Sequence, residues 1–318
     1  MSRRSSVRVE DVVSIGLTAS LVAFAGLRSA LAELRLDDAS WWDLSFLLAP
    51  VSVLVFLAAS SYAWRGNDAA APSVFLTVGT TLRDWLPFLI FSLTYETFRS
   101  RIWALVLVRD RDADLLRLDR VLFGETPSVP LQGLVTPLLT NAMSVFYFLH
   151  LVAPPVLAFI LYRRDRRLFR EFLFAILLSG VIGSIGYLAV PATGPAVAFP
   201  ELYDVPLRGD VFDPISRILE TARAPRDVFP SLHVGVSAIV LAYAFRRGRA
   251  LGLLLLPFVL GNWISTVYLR YHYLIDVFAG FAAAALAIGL SARLPRLEDP
   301  LPRPPPGAGS FGPGPGSG

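Results

Sequence analysis

Two short stretches in the last third of the chain carry residue types suited to phosphoryl chemistry: Pro230-Ser231-Leu232-His233, and Arg270-Tyr271-His272-Tyr273-Leu274-Ile275-Asp276. Each sets a histidine at the start of a long apolar run. If both runs are helices, His233 and His272 fall in or near a first turn, where unsatisfied N–H groups and the positive end of the helix dipole favour an anion. Asp276 follows His272 by one helical turn on the same face, so it can accept the Nδ1 proton, fix the tautomer and strengthen Nε2 as a nucleophile. His233 in its protonated form can act as general acid towards a leaving oxygen, close to its natural pKa. Arg270 offers a planar fork for two phosphate oxygens and for charge that grows on phosphorus. Ser231 suits an N-cap or a hydroxyl donor to phosphate. The expected chemistry uses no metal and no cofactor, because arginines and helix N-termini supply the positive field. With no cysteine in the chain, neither a disulfide framework nor a thiolate metal site can form.

What positions these residues is a membrane. Of 318 residues, 54% are hydrophobic and 17% charged, with a mean hydropathy of +0.57. That balance predicts an all-α, polytopic transmembrane helical bundle. About eight spans are expected, near 11–31, 42–63, 85–108, 141–162, 171–191, 231–246, 251–269 and 272–292, six of them forming a catalytic core. Residues 1–80 then form extra N-terminal spans, 81–292 the catalytic membrane domain, and 293–318 a Pro/Gly-rich tail too poor in apolar residues to fold. The segment 110–140 mixes charge with Leu115, Leu116, Leu118, Val121 and Leu122, as in a helix lying on the membrane surface with Asp119 on its polar side. The stretch 192–229 is polar and loop-like. Tryptophans 41, 42, 64, 85 and 103 suit interface belts.

All 29 basic residues are arginine, and their placement orients the bundle. Arg3, Arg4 and Arg8 precede the first span, Arg163 to Arg170 separate the fourth and fifth, Arg246, Arg247 and Arg249 the sixth and seventh, and Arg293 and Arg296 follow the last. With eight spans these clusters share one side, the cytoplasm, together with both termini; both histidines then open their spans from the extracytoplasmic face. The net charge of +4 is spread over short loops, so no nucleic-acid partner is expected. The arginine-only, Ala/Leu/Val/Pro-rich composition points to a GC-rich bacterial genome and so to a bacterial plasma membrane. The oligomeric state stays open.

Weaker candidates accompany the main set. His150 lies in mid-span, either bonded to a neighbouring helix or lining the substrate cavity; Glu96 with Arg99 is either a paired charge or part of a headgroup pocket. Arg226 lies seven residues before His233 and could reach phosphate.

The chain resembles the phosphatidic acid phosphatase type 2 superfamily, and within it the inositol phosphorylceramide synthase branch, to which sphingomyelin synthases are similar. The resemblance rests on Phe229-Pro230-Ser231-Leu232-His233 and on Tyr268 through Asp276, with lesser matches at Leu118-Asp119, Leu122-Phe123-Gly124, Tyr147 with His150, and Gly194-Pro195. It covers about residues 80–292. It implies a metal-independent enzyme in which His272 is transiently phosphorylated, Asp276 orients it and His233 is the acid. Two features of the phosphatase branch are absent. Thr266 stands where an arginine precedes the last histidine by six residues, and there is no Lys-x6-Arg-Pro motif, for which Arg217, Arg223 and Arg226 are candidate replacements. The expected function is therefore transfer of a phosphoryl-linked headgroup, of the phosphoinositol type that the resemblance implies, from a phospholipid or polyprenyl-phosphate substrate. The alternatives are a lipid phosphate or polyprenyl pyrophosphate phosphatase, and a non-enzymatic lipid transporter or scramblase.

Overall fold

A computed structural model describes residues 109–222 and 226–293, together with 81, 82, 84–86, 88, 89 and 92. The first two expected spans, most of the third with Glu96, and the tail from 294 lie outside the described residues. Within them the chain is helical, with no strand: α1 (Asp112–Phe123), α2 (Pro137–Arg164), α3 (Arg166–Ala189), a single turn α4 (Pro195–Ala198), α5 (Phe212–Ala222), α6 (Leu232–Arg247), α7 (Arg249–Tyr268) and α8 (Leu274–Ser291), with 3₁₀ turns at Pro130–Leu134 and Pro200–Leu202. Helices α2, α3, α7 and α8 are long and apolar enough to cross a membrane. With 16 residues, α6 is roughly 24 Å long. Its short reach is what an expected span ending inside the protein requires.

Helix boundaries follow local chemistry. Thr136 caps α2 by accepting the Leu139 N–H at 3.2 Å, with Pro137 at the first helical position. Asp165 ends α2 and starts α3 by accepting the Leu168 N–H at 2.9 Å, so two long antiparallel helices join through one residue. The core gathers at this end: Leu161, Tyr162, Phe169, Phe172 and Tyr243 are fully or almost fully buried. Trp85 packs into it, its ring 5.0 Å from Phe169 and 5.7 Å from Tyr162. Trp85 is therefore a core residue and not part of an interface belt, because a helix beginning by residue 81 turns that ring inward.

Helices α6 and α8 meet closely. A side chain at Gly280 would overlap the Ser231 carbonyl oxygen, and one at Gly235 would stand 3.2 Å from the Gly280 carbonyl. The two glycines let the N-terminal half of α6 press on α8, and the Ser231 N–H donates to the Asp276 carbonyl at 3.1 Å. This contact sets the distance between the histidines that follow Ser231 and precede Asp276.

The expected loop is more ordered than its composition suggests, and the expected surface helix is shorter than its segment. In 192–229 the structure places α4, a 3₁₀ turn and α5; Asp213 and Pro214 at its start are ordinary helix-opening signals. In 110–140, apart from the first residues of α2, the α-helix is Asp112–Phe123, and Gly124, with φ +82, ends it. That helix buries Asp112, Leu115, Leu116 and Asp119, spaced i, i+3, i+4 and i+7, and exposes Leu118, Val121 and Leu122. Asp119 thus faces the protein and not solvent, since the N-terminus of α8 lies beneath it with N–H groups to satisfy.

Candidate active site

His233 is the second residue of α6, and Ser231 caps that helix, its hydroxyl accepting the Val234 N–H at 3.4 Å. His272 is not in a helical first turn as expected. It sits in the turn between α7 and α8, where the His272 and Tyr271 N–H groups both reach the Thr266 carbonyl at 3.1 Å. Helix α8 starts only at Leu274, because the Asp276 carboxylate takes the Tyr273 N–H at 2.9 Å. From separate elements the two imidazoles converge: His272 Nε2 lies 3.2 Å from His233 Nδ1.

Asp276 is fully buried, and its Oδ2 lies 3.5 Å from His272 Nδ1. That is the spacing of an ion pair; the shorter bond of Oδ2 goes to the Tyr273 N–H, so the carboxylate both starts the helix and faces the ring. With the Nδ1 proton of His272 towards Asp276, Nε2 carries the lone pair and His233 Nδ1–H is the donor in the contact between them.

Aromatic rings close the site. Tyr147 of α2 stacks on His233 at 4.5 Å and lies 4.9 Å from Tyr271. His150, one turn further along α2, comes within 4.1 Å of the His233 ring centroid. The chain has 3 histidines, and all of them belong to this cluster.

Arg270 adopts φ +64, a left-handed conformation uncommon for a side-chain-bearing residue. It is 6% exposed, donates to the Val205 carbonyl at 2.6 Å and lies over the Tyr203 ring at 4.3 Å. Among the described residues no carboxylate pairs with it, and burial pulls its pKa below the usual arginine range. The Tyr203 hydroxyl bonds Ser128 at 2.7 Å, and Gln132 holds the same loop through the Leu202 carbonyl and the Val205 N–H. Arg270 is therefore a cation from the same turn as His272, held among the described residues by a carbonyl and a ring and by no anion.

Carboxylates of α1 brace this turn. Asp119 accepts the Leu274 and Ile275 N–H groups at 3.0 and 2.9 Å, and burial raises its pKa against the pull of those two bonds. Asp112 accepts the Thr193 and Gly194 N–H groups and the Tyr273 hydroxyl, the last at 2.9 Å. The Tyr273 hydroxyl titrates well above the usual tyrosine range, first through burial and then through the Asp112 charge. Gly194, at φ +88, packs against the Tyr271 carbonyl, where a side chain would collide. The first-turn N–H groups of α8, expected to face an anion, are thus already occupied by Asp119 and Asp276.

A family model described as the PAP2 superfamily matches residues 113–290, more than half of the chain, reaching from α1 to α8. The chain belongs to the PAP2 superfamily. This PAP2 protein is also similar to the phosphoinositol dihydroceramide synthase of Bacteroides thetaiotaomicron, with 26% identity over 235 residues, 63% of this chain and 73% of the relative. That likeness falls on the synthase branch to which the histidine motifs pointed. No solved structure matches the chain. The apolar helices and the family together describe a multi-pass membrane protein of the lipid phosphatase and phosphotransferase class.

Of the residues singled out in the sequence, His233, His272, Asp276, Ser231 and His150 lie together in the PAP2 core, with Arg270 in the same turn. Arg226 goes elsewhere: its Nε lies 2.7 Å from Asp110 Oδ1 on a partly exposed surface. Arg217 is exposed and bonds the Asp213 carbonyl of its own helix. Glu96 and Arg223 lie outside the described residues. The sequence reading missed Asp112 and Tyr203 and misplaced Asp119. The seven-residue spacing of the two aspartates, on the same face as Leu115 and Leu116, was the available signal.

Proposed function

We propose that this protein is a membrane lipid phosphotransferase that moves a phosphoinositol-type headgroup from a phospholipid to a lipid alcohol through a phosphohistidine on His272. The observation that carries this reading is the 3.2 Å approach of His272 Nε2 to His233 Nδ1, in a turn that also carries the buried Arg270, which has no carboxylate partner among the described residues. An uncompensated buried cation is costly and is retained where a bound anion completes it. A phosphate entering between the rings replaces their contact and meets the nucleophile and the acid at once, and Arg270 of the same turn is the cation assigned to its oxygens.

The steps balance without a metal. His272 Nε2 bonds to phosphorus as the donor's ester P–O bond breaks, and the departing lipid oxygen takes a proton from His233. The acceptor's oxygen then bonds to phosphorus, the N–P bond breaks, and the acceptor's proton makes good the one that His233 released. Arg270 stabilises the charge on the equatorial oxygens, with the N-terminus of α6 as the remaining helix end. Asp276 keeps His272 in the Nδ1–H tautomer.

Sidedness follows from charge. Arg163, Arg164 and Arg166 to Arg167 sit at the α2–α3 junction, and Arg246, Arg247 and Arg249 at the α6–α7 junction, the ends of α2 and α6 remote from their site residues. The positive-inside rule places that end in the cytoplasm of a bacterial cell and the histidines towards the outer face.

The test is purified protein in phosphatidylinositol vesicles with and without candidate lipid alcohols, products followed by mass spectrometry, comparing wild type, His272→Ala and wild type with EDTA. Headgroup transfer that needs the alcohol and His272 and survives EDTA is expected. Release to water alone would make the protein a phosphatase. Turnover retained in His272→Ala would refute the mechanism, and lipid movement without turnover would make it a scramblase.

A further inference from the structure

His150 is the one histidine without a task in this mechanism, and its geometry assigns one. Its Nδ1 lies 2.7 Å from the Tyr147 carbonyl oxygen. A carbonyl can only accept, so Nδ1 carries the proton and the neutral ring presents a lone pair at Nε2. Tyr147 itself stacks on His233, and the His150 and His233 rings stand edge to face at 4.1 Å. The three imidazoles therefore form a row, His150, His233 and then His272, with His233 and His272 a further 5.3 Å apart by centroid. Within the same stretch of α2, Phe148, Leu151 and Val152 are exposed among the described residues, in a helix apolar enough to lie in a bilayer. His150 thus occupies the end of the row nearest hydrocarbon, where a membrane-borne alcohol arrives.

We propose that His150 is the acceptor base of the second half-reaction, holding the hydroxyl of a lipid alcohol at Nε2. This rests on the reading given above. As the acceptor oxygen bonds to the phosphorus on His272 and the N–P bond breaks, the hydroxyl proton passes to His150 Nε2. From there it moves to His233, which lost a proton to the departing lipid in the first half-reaction, and the row is reset. Water, which is small and needs no such seat, can give its proton to His233 directly. His150 is in this way what favours transfer over hydrolysis.

Two substitutions separate this role from a structural one. In His150→Gln, the side-chain amide reaches the position of Nε2 and can still accept a hydroxyl, but it cannot take its proton. In His150→Asn, the amide reaches the position of Nδ1, keeps the bond to the Tyr147 carbonyl and offers the acceptor nothing. Phosphatidylinositol vesicles carrying graded mole fractions of the best lipid alcohol from the panel above serve as substrate. We expect His150→Gln to lower the kcat of transfer about 100-fold with little change in acceptor KM. We expect His150→Asn to lower kcat as much and to raise KM as well. In both, hydrolysis of the donor falls far less, so the ratio of transfer to hydrolysis drops. A purely structural His150 reverses the order, with Asn the better substitute and transfer and hydrolysis falling together; that result overturns the proposal. Absence of phosphohistidine in wild type would sink the underlying mechanism, whereas wild-type phosphohistidine with an unchanged ratio in both variants would sink only the role of His150.

Discussion

The two ends of the bundle use similar charged residues to opposite effect. At the end remote from the histidines, Glu171 of α3 is buried and held by Arg246 of α6 and, at 3.4 Å, by Arg167. Arg246 lies over the Tyr243 ring at 4.6 Å, and the Tyr243 hydroxyl bonds Ser291 of α8 at 2.7 Å. Three helices are tied there, with the buried carboxylate neutralised by arginines that reach it from the surface. At the other end Arg270 is as deeply buried as Glu171, yet among the described residues it is met by a carbonyl and an aromatic face and by no carboxylate. At the same end, Asp276 Oδ1 accepts no hydrogen bond among the described residues. Buried charge that is internally neutralised holds helices together. Buried charge left open costs stability and is kept where a substrate completes it.

The largest expected contrast comes from exchanging losses between the ends. His272→Ala should cut turnover on the order of 10⁴-fold, with little change in thermal midpoint. Glu171→Gln should do the reverse, lowering stability by about 1–3 kcal/mol while turnover per folded molecule holds. Parallel thermal denaturation and activity assays in detergent check both, and a Glu171→Gln enzyme that is fully folded but inactive would break the comparison.

Arg270 sharpens it further. Arg270→Gly relieves the left-handed backbone, by about 1–2 kcal/mol, and removes an unpaired buried cation. It should leave the midpoint no lower than wild type while turnover falls about 10²- to 10³-fold. A marked loss of stability would show that Arg270 is held for the Val205 and Tyr203 contacts and not for an anion.

A smaller effect is expected where the fold sets the spacing of the rings. Gly280→Ala forces α8 away from the Ser231 carbonyl, and a shift of about 1 Å between His233 and His272 should cost on the order of 10²-fold in kcat. Unchanged kcat would mean that the ring spacing tolerates movement. The smallest concerns Asp119. Burial holds its carboxyl above the ordinary 3.8, so the folded state keeps this proton after the unfolded chain has lost it. Its contribution to stability is full below pH 3.8 and is lost as pH rises through the folded-state value. Asp119→Asn should flatten the dependence of the midpoint on pH in that window; an unaltered slope would show that the two N–H bonds outweigh burial.

Much of this was legible in the chain because it is local. Apolar runs predict helices, and the expected span 231–246 appears as Leu232–Arg247, 251–269 as Arg249–Tyr268 and 272–292 as Leu274–Ser291. Ser231 reads as an N-cap and is one. The same local logic failed at His272, since helical spacing to Asp276 gave no hint that a carboxylate can serve a helix start and an imidazole together. It failed again at Asp119, whose partners lie 155 and 156 residues away.

What the residue order determined alone is the all-α membrane architecture and the short list of residues able to handle phosphorus, since hydrophobic period, capping and side-chain chemistry are properties of neighbours. Only the tertiary structure decided that His150 joins His233 and His272, that Asp112 and Asp119 brace the turn between α7 and α8, and that Arg270 meets no carboxylate among the described residues while Arg226 finds Asp110. Those outcomes depend on which helices touch, and here two glycines at the α6–α8 contact, distant in the chain and without side chains of their own, let the helices come close enough for imidazoles to meet.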